Sequence, residues 1–483
     1  MFSAVALLAN VSQASAAPQS APESQPADVG LESEPGVSSD SDSGATETTA
    51  PPEPTSPPDP TPPEPVHPEG PPTGIGPIGG RLFTHVRAPT SDPLDQSLQQ
   101  VSASAWLEAR PRFNQTTSAR LTLTADALAV AIDGTSGFRA NLREAYVDAS
   151  KNGWQLRVGQ QIVPWGNADG INPTDVLGAR DLAFFAADTE VRRIGSTSLL
   201  GSFTPNGGDS PLTITLIATP IFPSYKVIFP PNAIPAGVVL EGISRPKPRL
   251  DSVEVAARVA LVGSGWDIAL MAFQGYNHMA ELEFGSQAAT GIAIRQVHRR
   301  NFVGGLQASA SAGNWIFRIE GAYLHNYEVS DDHPATQPSN AQAVLGIERP
   351  LGERFRLQIQ GVGKYSPLYT APDRVSAIDP ALVPVQRAIA QVNAVLFNHT
   401  DQIRAGGTAR LAFTTENEFF EAEVFGLFYA TGLDGLVRPM VTLRASDALR
   451  FSLGAEILFG PSDAALGALR RYSGGFFEAR YSF

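Results

Sequence analysis

The chain of 483 residues contains no cysteine. Disulfides, thiolate nucleophiles, Cys-ligated metals and lipoprotein acylation are therefore excluded. It also lacks any apolar run approaching eighteen residues, whereas a helix needs about twenty to cross a bilayer. If the chain enters a membrane, it must do so as a closed β-barrel, the other form that satisfies every backbone group in lipid. Lysine is scarce: of 35 basic residues only Lys151, Lys226, Lys247 and Lys364 are lysine. The preference for arginine suits rigid bidentate pairing on an inner wall, and a compositional bias of the genome accounts for it equally well. Catalytic signatures are missing too. His67, His85, His278, His298, His325, His333 and His399 are scattered, without H-E-x-x-H spacing or a nucleophile elbow. No Gly-rich phosphate loop opens a helix, and no basic patch suits nucleic acid. No cofactor or metal is expected, and the chain is not read as an enzyme. A hydrolase assembling Ser, His and Asp from separate strands is the one enzymatic alternative left open.

What is present divides the chain once. MFSAVALLANVSQASA has an apolar centre of about ten residues followed by Ala14-Ser15-Ala16, the small-x-small pattern of a secretory signal. Residues 1–16 are read as that signal, cleaved after Ala16, although it carries no basic residue. From 17 to 80 the sequence is rich in Pro, Glu, Ser and Thr and holds no Lys or Arg. Low hydrophobicity with charge of one sign cannot offset ordering entropy, so this segment is expected to be a disordered linker of partly polyproline-II character. Eleven of the 48 acidic residues lie in it, leaving 37 acids against 35 bases in the remainder. The acidic balance thus belongs to the linker and not to the folded part.

Residues 81–483 break into segments of about ten residues that alternate apolar with polar or small, the dyad signature of outer-membrane strands. Leu121, Leu123, Ala125, Ala127 and Ala129 oppose Arg120, Thr122, Thr124 and Asp126. Phe355, Leu357 and Ile359 oppose Arg356, Gln358 and Gln360, and the run from Leu449 to Phe459 repeats the pattern. Eighteen such segments are counted, from 81–87 to 474–483, with sixteen strands as the alternative. Turns such as Lys151-Asn152-Gly153 and Gly263-Ser264-Gly265 interleave with long connections near 163–193, 221–252, 275–301, 326–341, 365–403 and 460–473. The expected fold is all-β: a transmembrane antiparallel up-and-down β-barrel. Its short turns, its C-terminus and the linker are expected on the periplasmic side.

The final strand, GGFFEARYSF, places Phe477, Ala479, Tyr481 and Phe483 on one face and ends in an aromatic. It resembles the terminal assembly signal of Gram-negative outer-membrane barrels. That resemblance implies outer-membrane lipids and the barrel-assembly machinery as partners, with Phe477, Tyr481 and Phe483 as the signal. A second resemblance lies at 156–198, where Gly159, Gln160, Trp165, Gly166, Ile171, Asn172, Pro173 and Asp175 form a Trp-Gly…Ile-Asn-Pro-x-Asp pattern. It is similar to a poorly characterised outer-membrane barrel family related to alginate-export-type, porin-like barrels. Some members look like companions of inner-membrane lipid transporters, which implies export of an amphiphile and a partner in the inner membrane or periplasm.

An eighteen-stranded barrel is wide enough for an aqueous channel. The connection at 163–193 is the candidate constriction, through Trp165, Asp169, Asn172, Asp175, Arg180, Asp181, Asp188 and Glu190, with Arg192 and Arg193 at its exit. Two arrangements remain open for these groups: facing charged rings that screen solutes, or mutual pairing that fixes the loop. Two other connections are unusually apolar, Ile221–Gly242 and a stretch where Asp379 and Pro380 read as a helix start. Leu382, Val385, Ile389, Val392 and Leu396 predict an amphipathic helix near 380–397. These elements either enter the lumen or pack on each other. The expected function is a channel or exporter for small or amphiphilic, lipid-like solutes. The alternatives are a plugged docking barrel whose tail recruits a periplasmic partner, and the hydrolase.

Overall fold

The computed structural model describes residues 78–89, 100–130, 135–182, 189–227, 238–288, 291–328, 335–377 and 379–483. The expected signal, the linker up to residue 77 and Asp188 lie outside the described residues. Eighteen strands form one antiparallel sheet: β1 (Ile78–Pro89), β2 (Gln100–Ala109), β3 (Thr117–Val130), β4 (Thr135–Lys151), β5 (Trp154–Gln161), β6 (Ser196–Phe203), β7 (Leu212–Thr219), β8 (Glu254–Gly263), β9 (Trp266–Tyr276), β10 (Arg300–Ala312), β11 (Trp315–Asn326), β12 (Asn340–Leu351), β13 (Phe355–Tyr365), β14 (Ile403–Thr414), β15 (Phe420–Tyr429), β16 (Asp434–Arg444), β17 (Leu449–Phe459) and β18 (Gly474–Ser482). Each pairs with the next, and β18 returns to β1 with Thr84 opposite Ala479, which closes the barrel. The eighteen expected strands are all present, and a sixteen-stranded barrel is excluded. β1 begins at Ile78, three residues ahead of the expected boundary.

Strand alternation is inverted relative to a soluble protein. Leu121, Leu123, Leu270, Leu345, Leu453 and Ile457 are exposed, while Thr122, Gln358, Gln360, Glu456 and Glu478 are buried. Such a sheet has an apolar outer face for lipid and a polar interior. The turn at Asn152-Gly153 has positive φ at both residues, 52° and 80°, the type I′ geometry that matches strand twist. Glycine is required there because a Cβ would lie 2.0 Å from the Thr204 carbonyl. At the seam, Gly80 and Phe483 exchange backbone hydrogen bonds of 2.9 and 3.0 Å. Phe477, Tyr481 and Phe483 face outward, with Tyr481 and Phe483 stacked at 6.2 Å.

Turns such as those at 152–153, 264–265, 313–314 and 445–448 share one rim with the C-terminus, and the long connections lie on the other. The four-residue turn between Tyr429 and Asp434 also lies on that second rim, against the expectation that short turns fall on the C-terminal side alone. Two of those connections hold structure absent from the sequence expectation. Val238–Ser244 pairs in parallel with Gly291–Val297, which pairs antiparallel with Glu281–Ala288. The pairing joins segments some fifty positions apart, and none of the three shows a barrel strand's long alternation. The expected helix is observed as a 3-10 turn, Pro380–Leu382, followed by an α-helix, Val383–Leu396. Asp379 caps it, accepting from the Ala381 N–H at 2.9 Å. Ile389, Val392 and Leu396 pack on Leu282 and Ile294 of the small sheet, joined by Tyr225, Val227 and Leu240. The described parts of the two apolar connections therefore pack against each other.

Candidate functional site in the lumen

Of the connection between β5 and β6, residues 162–182 and 189–195 are described, and they fold into the barrel interior. What draws this connection inward is an apolar patch on an otherwise polar wall. Trp165 is buried with Leu177 against Leu200, Ile217, Met271, Phe273 and Val303. Polar tethers then fix the loop to opposite strands. Glu320, buried on β11, accepts from the backbone N–H groups of Asn167 and Ala168 (each 3.0 Å) and Thr174 (2.9 Å), and from the Thr174 hydroxyl at 2.8 Å. Gln307 on β10 donates to the same hydroxyl at 2.6 Å. Farther round, Asp169 accepts a hydrogen bond from Arg410 Nη2 of β14 at 3.1 Å, and Arg410 Nε lies 3.0 Å from its other carboxylate oxygen. Arg410 also reaches Glu423 of β15 at 3.3 Å. Burial raises the Asp169 carboxyl to about 7, against the lowering effect of Arg410.

The Trp-Gly…Asn-Pro-x-Asp residues build the loop's own frame. Asn172 donates to the Trp165 carbonyl at 3.1 Å. Gly166 has φ 100°, and a Cβ there would lie 1.8 Å from the Asn172 side chain. This glycine is required on both backbone and packing grounds. Asp175 accepts from the Trp165 N–H at 3.4 Å and pairs with Arg180 at 2.5 Å and Arg193 at 2.8 Å. Asp181 pairs with Arg139 of β4 at 3.0 Å and Lys226 at 3.6 Å, and Glu190 with Arg193 at 2.6 Å. Arg192 is buried, with Glu456, Arg438, Arg180 and Arg87 supplying its electrostatic surroundings. The described loop residues named from the sequence thus meet in the lumen, and its carboxylates there are paired.

Wall residues that hold the loop are absent from the sequence prediction, Glu320, Arg410 and Arg143 among them. The first two occupy inward positions of alternating strands, but alternation does not say which inward residue meets the loop. Arg143 is displaced by a bulge. Thr122 pairs with Glu144 while Leu123 pairs with Leu142, which leaves Arg143 as the extra residue. A bulge re-aims a side chain, and here Arg143 donates to the carbonyls of Glu190 (2.6 Å), Val191 (2.9 Å) and Arg193 (2.6 Å).

The loop separates two cavities that share no lining residue. On the short-turn side a polar cavity of about 250 Å³ is bounded by Trp165, Asn167, Arg258 and Gln307. On the other side a chamber of about 170 Å³ has Ile171, Pro173 and Val176 as its floor. Its roof comes from Met279, Leu396, Phe397 and Leu466. Leu466 belongs to the 460–473 connection, which is held inward by its N–H on Asp434 at 2.7 Å. Outside both cavities, Ser224 meets His298 Nε2 at 3.2 Å while His298 Nδ1 meets the Asn277 carbonyl at 2.7 Å. Burial lowers His298 to about 4, and this contact ties the 221–227 segment to the long-loop rim.

Fold and site together define a porin-type barrel: a closed eighteen-stranded sheet with a loop folded into its interior. Among solved structures, OccAB4 of Acinetobacter baumannii aligns at TM-score 0.50 and 7% identity, over 84% of this chain and 97% of that one. OccK5 of Pseudomonas aeruginosa aligns at 0.48 and 9%, over 84% and 96%. OmpT, an outer membrane protein of Vibrio cholerae, aligns at 0.39 and 10%, over 85% and 100%. No family model matches the chain, and no curated protein matches it.

Proposed function

We propose that the chain is an outer-membrane channel or exporter in which residues 162–195 divide the lumen and control passage of small or amphiphilic solutes. The observation that carries this reading is the pair of cavities on either side of Trp165–Val176 within one barrel. The loop is held to distant strands chiefly through Glu320 and Arg410, so releasing these tethers joins the cavities without disturbing the wall. The reading includes a periplasmic position for the N-terminal segment and an amphiphilic cargo, the latter following from the resemblance of the Trp-Gly…Ile-Asn-Pro-x-Asp residues. Ion current through purified protein in planar bilayers tests it. The expected result is a small conductance that rises several-fold when residues 166–176 are replaced by a short Gly-Ser link. A folded barrel that conducts neither before nor after that change overturns the reading.

A further inference from the structure

The chamber above the loop has one feature that its neighbours do not neutralise. Its apolar lining includes Val303 and Leu324 of the wall, Ile171 and Val176 of the floor, and Leu396 and Leu466 of the roof. Three side chains capable of charge also line it: Asp175, His278 and Lys364. Asp175 is matched by Arg180 and Arg193. His278 lies 3.1 Å from Glu254. The neighbouring Arg404, opposite Lys364 in the sheet, is matched by Asp434 at 3.0 Å. Lys364 donates to the Phe397 carbonyl at 2.7 Å and makes no ion pair among the described residues. An ammonium has three donors, so two remain for a ligand. Tyr429 adds another: its hydroxyl accepts from Asn398 at 2.9 Å, which leaves the O–H proton free to donate.

We infer that the chamber is a binding site for a short apolar chain bearing a single anionic head, with the head on Lys364 and Tyr429 and the tail among Ile171, Val176 and Leu466. The lining also carries Asn277, Asn301, Gln337 and Gln342, which are neutral. A buried cation without a counter-charge is costly, and a monoanion removes that cost where a neutral or cationic chain does not. The chamber is small, about 170 Å³, so the ligand is short. The inference deepens the channel reading by naming the class of solute, and it rests on that reading only for the solute's onward passage.

The test is equilibrium binding to the folded full chain in detergent, followed calorimetrically with hexanoate, hexanesulfonate, hexanol and hexylammonium. Both anions are expected to bind at least tenfold more tightly than hexanol, with hexylammonium weaker still. Lys364→Met should abolish the discrimination and Lys364→Arg should retain most of it, each variant first checked for the heat-dependent gel shift of a folded barrel. Equal binding of hexanoate and hexanol by the unaltered chain overturns the inference. So does a folded Lys364→Met variant that still prefers the anion. Anion-selective binding without bilayer current overturns the channel reading alone, and current without selective binding overturns the chamber site alone.

Discussion

Glu320 gathers more of the loop's hydrogen bonds than any other wall side chain described above. It accepts three backbone N–H groups and one hydroxyl from the segment that divides the lumen. Hydrogen bonds to a charged acceptor contribute about 1.5–3 kcal/mol each before non-additivity, and truncation leaves buried donors unpaired. Glu320→Ala is therefore expected to release residues 166–174. Proteolysis of the folded barrel at this loop should accelerate at least tenfold, with the heat-dependent gel shift unchanged. Asp169 adds a dependence on pH. Its carboxyl is raised to about 7 in place, against about 3.9 once released to water. The docked loop thus binds the proton more tightly, and docking weakens as pH rises from about 4 to 7, by up to about tenfold per pH unit. Bilayer current should increase over that window, level off above 7, and lose this slope in Asp169→Asn. The motif around Trp165 could be read from the sequence as a unit, because Gly166, Asn172 and Asp175 serve contacts only a few residues away. Glu320 could not, since its partners lie about 150 positions distant and no local pattern marks them.

At the scale of elements, the barrel strands were legible because one face meets lipid and the other the polar interior. That two-sided constraint makes Leu121 and Leu123 alternate with Thr122 and Thr124, and a register slip by one residue would reverse every side chain. The helix at 383–396 announced itself through Asp379-Pro380 and the spacing of Ile389, Val392 and Leu396. The small sheet above the barrel did not, because Val238–Ser244 pairs with a distant parallel strand and obeys no lipid boundary. Asn393 joins these two elements. Its amide donates to the carbonyls of Leu282 and Ala335, each at 2.8 Å, and accepts from the Leu282 N–H at 2.9 Å. In Asn393→Leu those buried backbone groups lose their partner, at about 1–3 kcal/mol for each group left unsatisfied. Hydrogen exchange at Leu282 and along 389–396 is expected to quicken by at least tenfold, while exchange in β1 and β18 stays as before.

For the whole molecule the closing event is the pairing of the last strand with the first. Phe483 takes part through its backbone, which exchanges two hydrogen bonds with Gly80, and through its ring, which stacks on Tyr481 outside the wall. A Cβ at Gly80 would lie 2.5 Å from the Phe483 ring, so the ring lies directly over that glycine. None of these contacts faces the lumen, where the same strand presents Phe476 and Glu478. The two faces of β18 therefore separate assembly from passage. Deleting Phe483 removes the final backbone pair and one aromatic of the outward row, and leaves Glu478, Glu456 and the loop tethers in place. The expected outcome is a fall of several-fold or more in folded protein recovered from outer membranes, measured by heat-dependent gel shift. The current per inserted barrel should equal that of the unaltered chain. A changed current per barrel would mean that the seam deforms the lumen, contrary to this separation. Phe477→Ala provides the matching control: it lies on the same outward face, stacks with Phe451 at 6.2 Å, and should lower recovery while leaving the current unchanged.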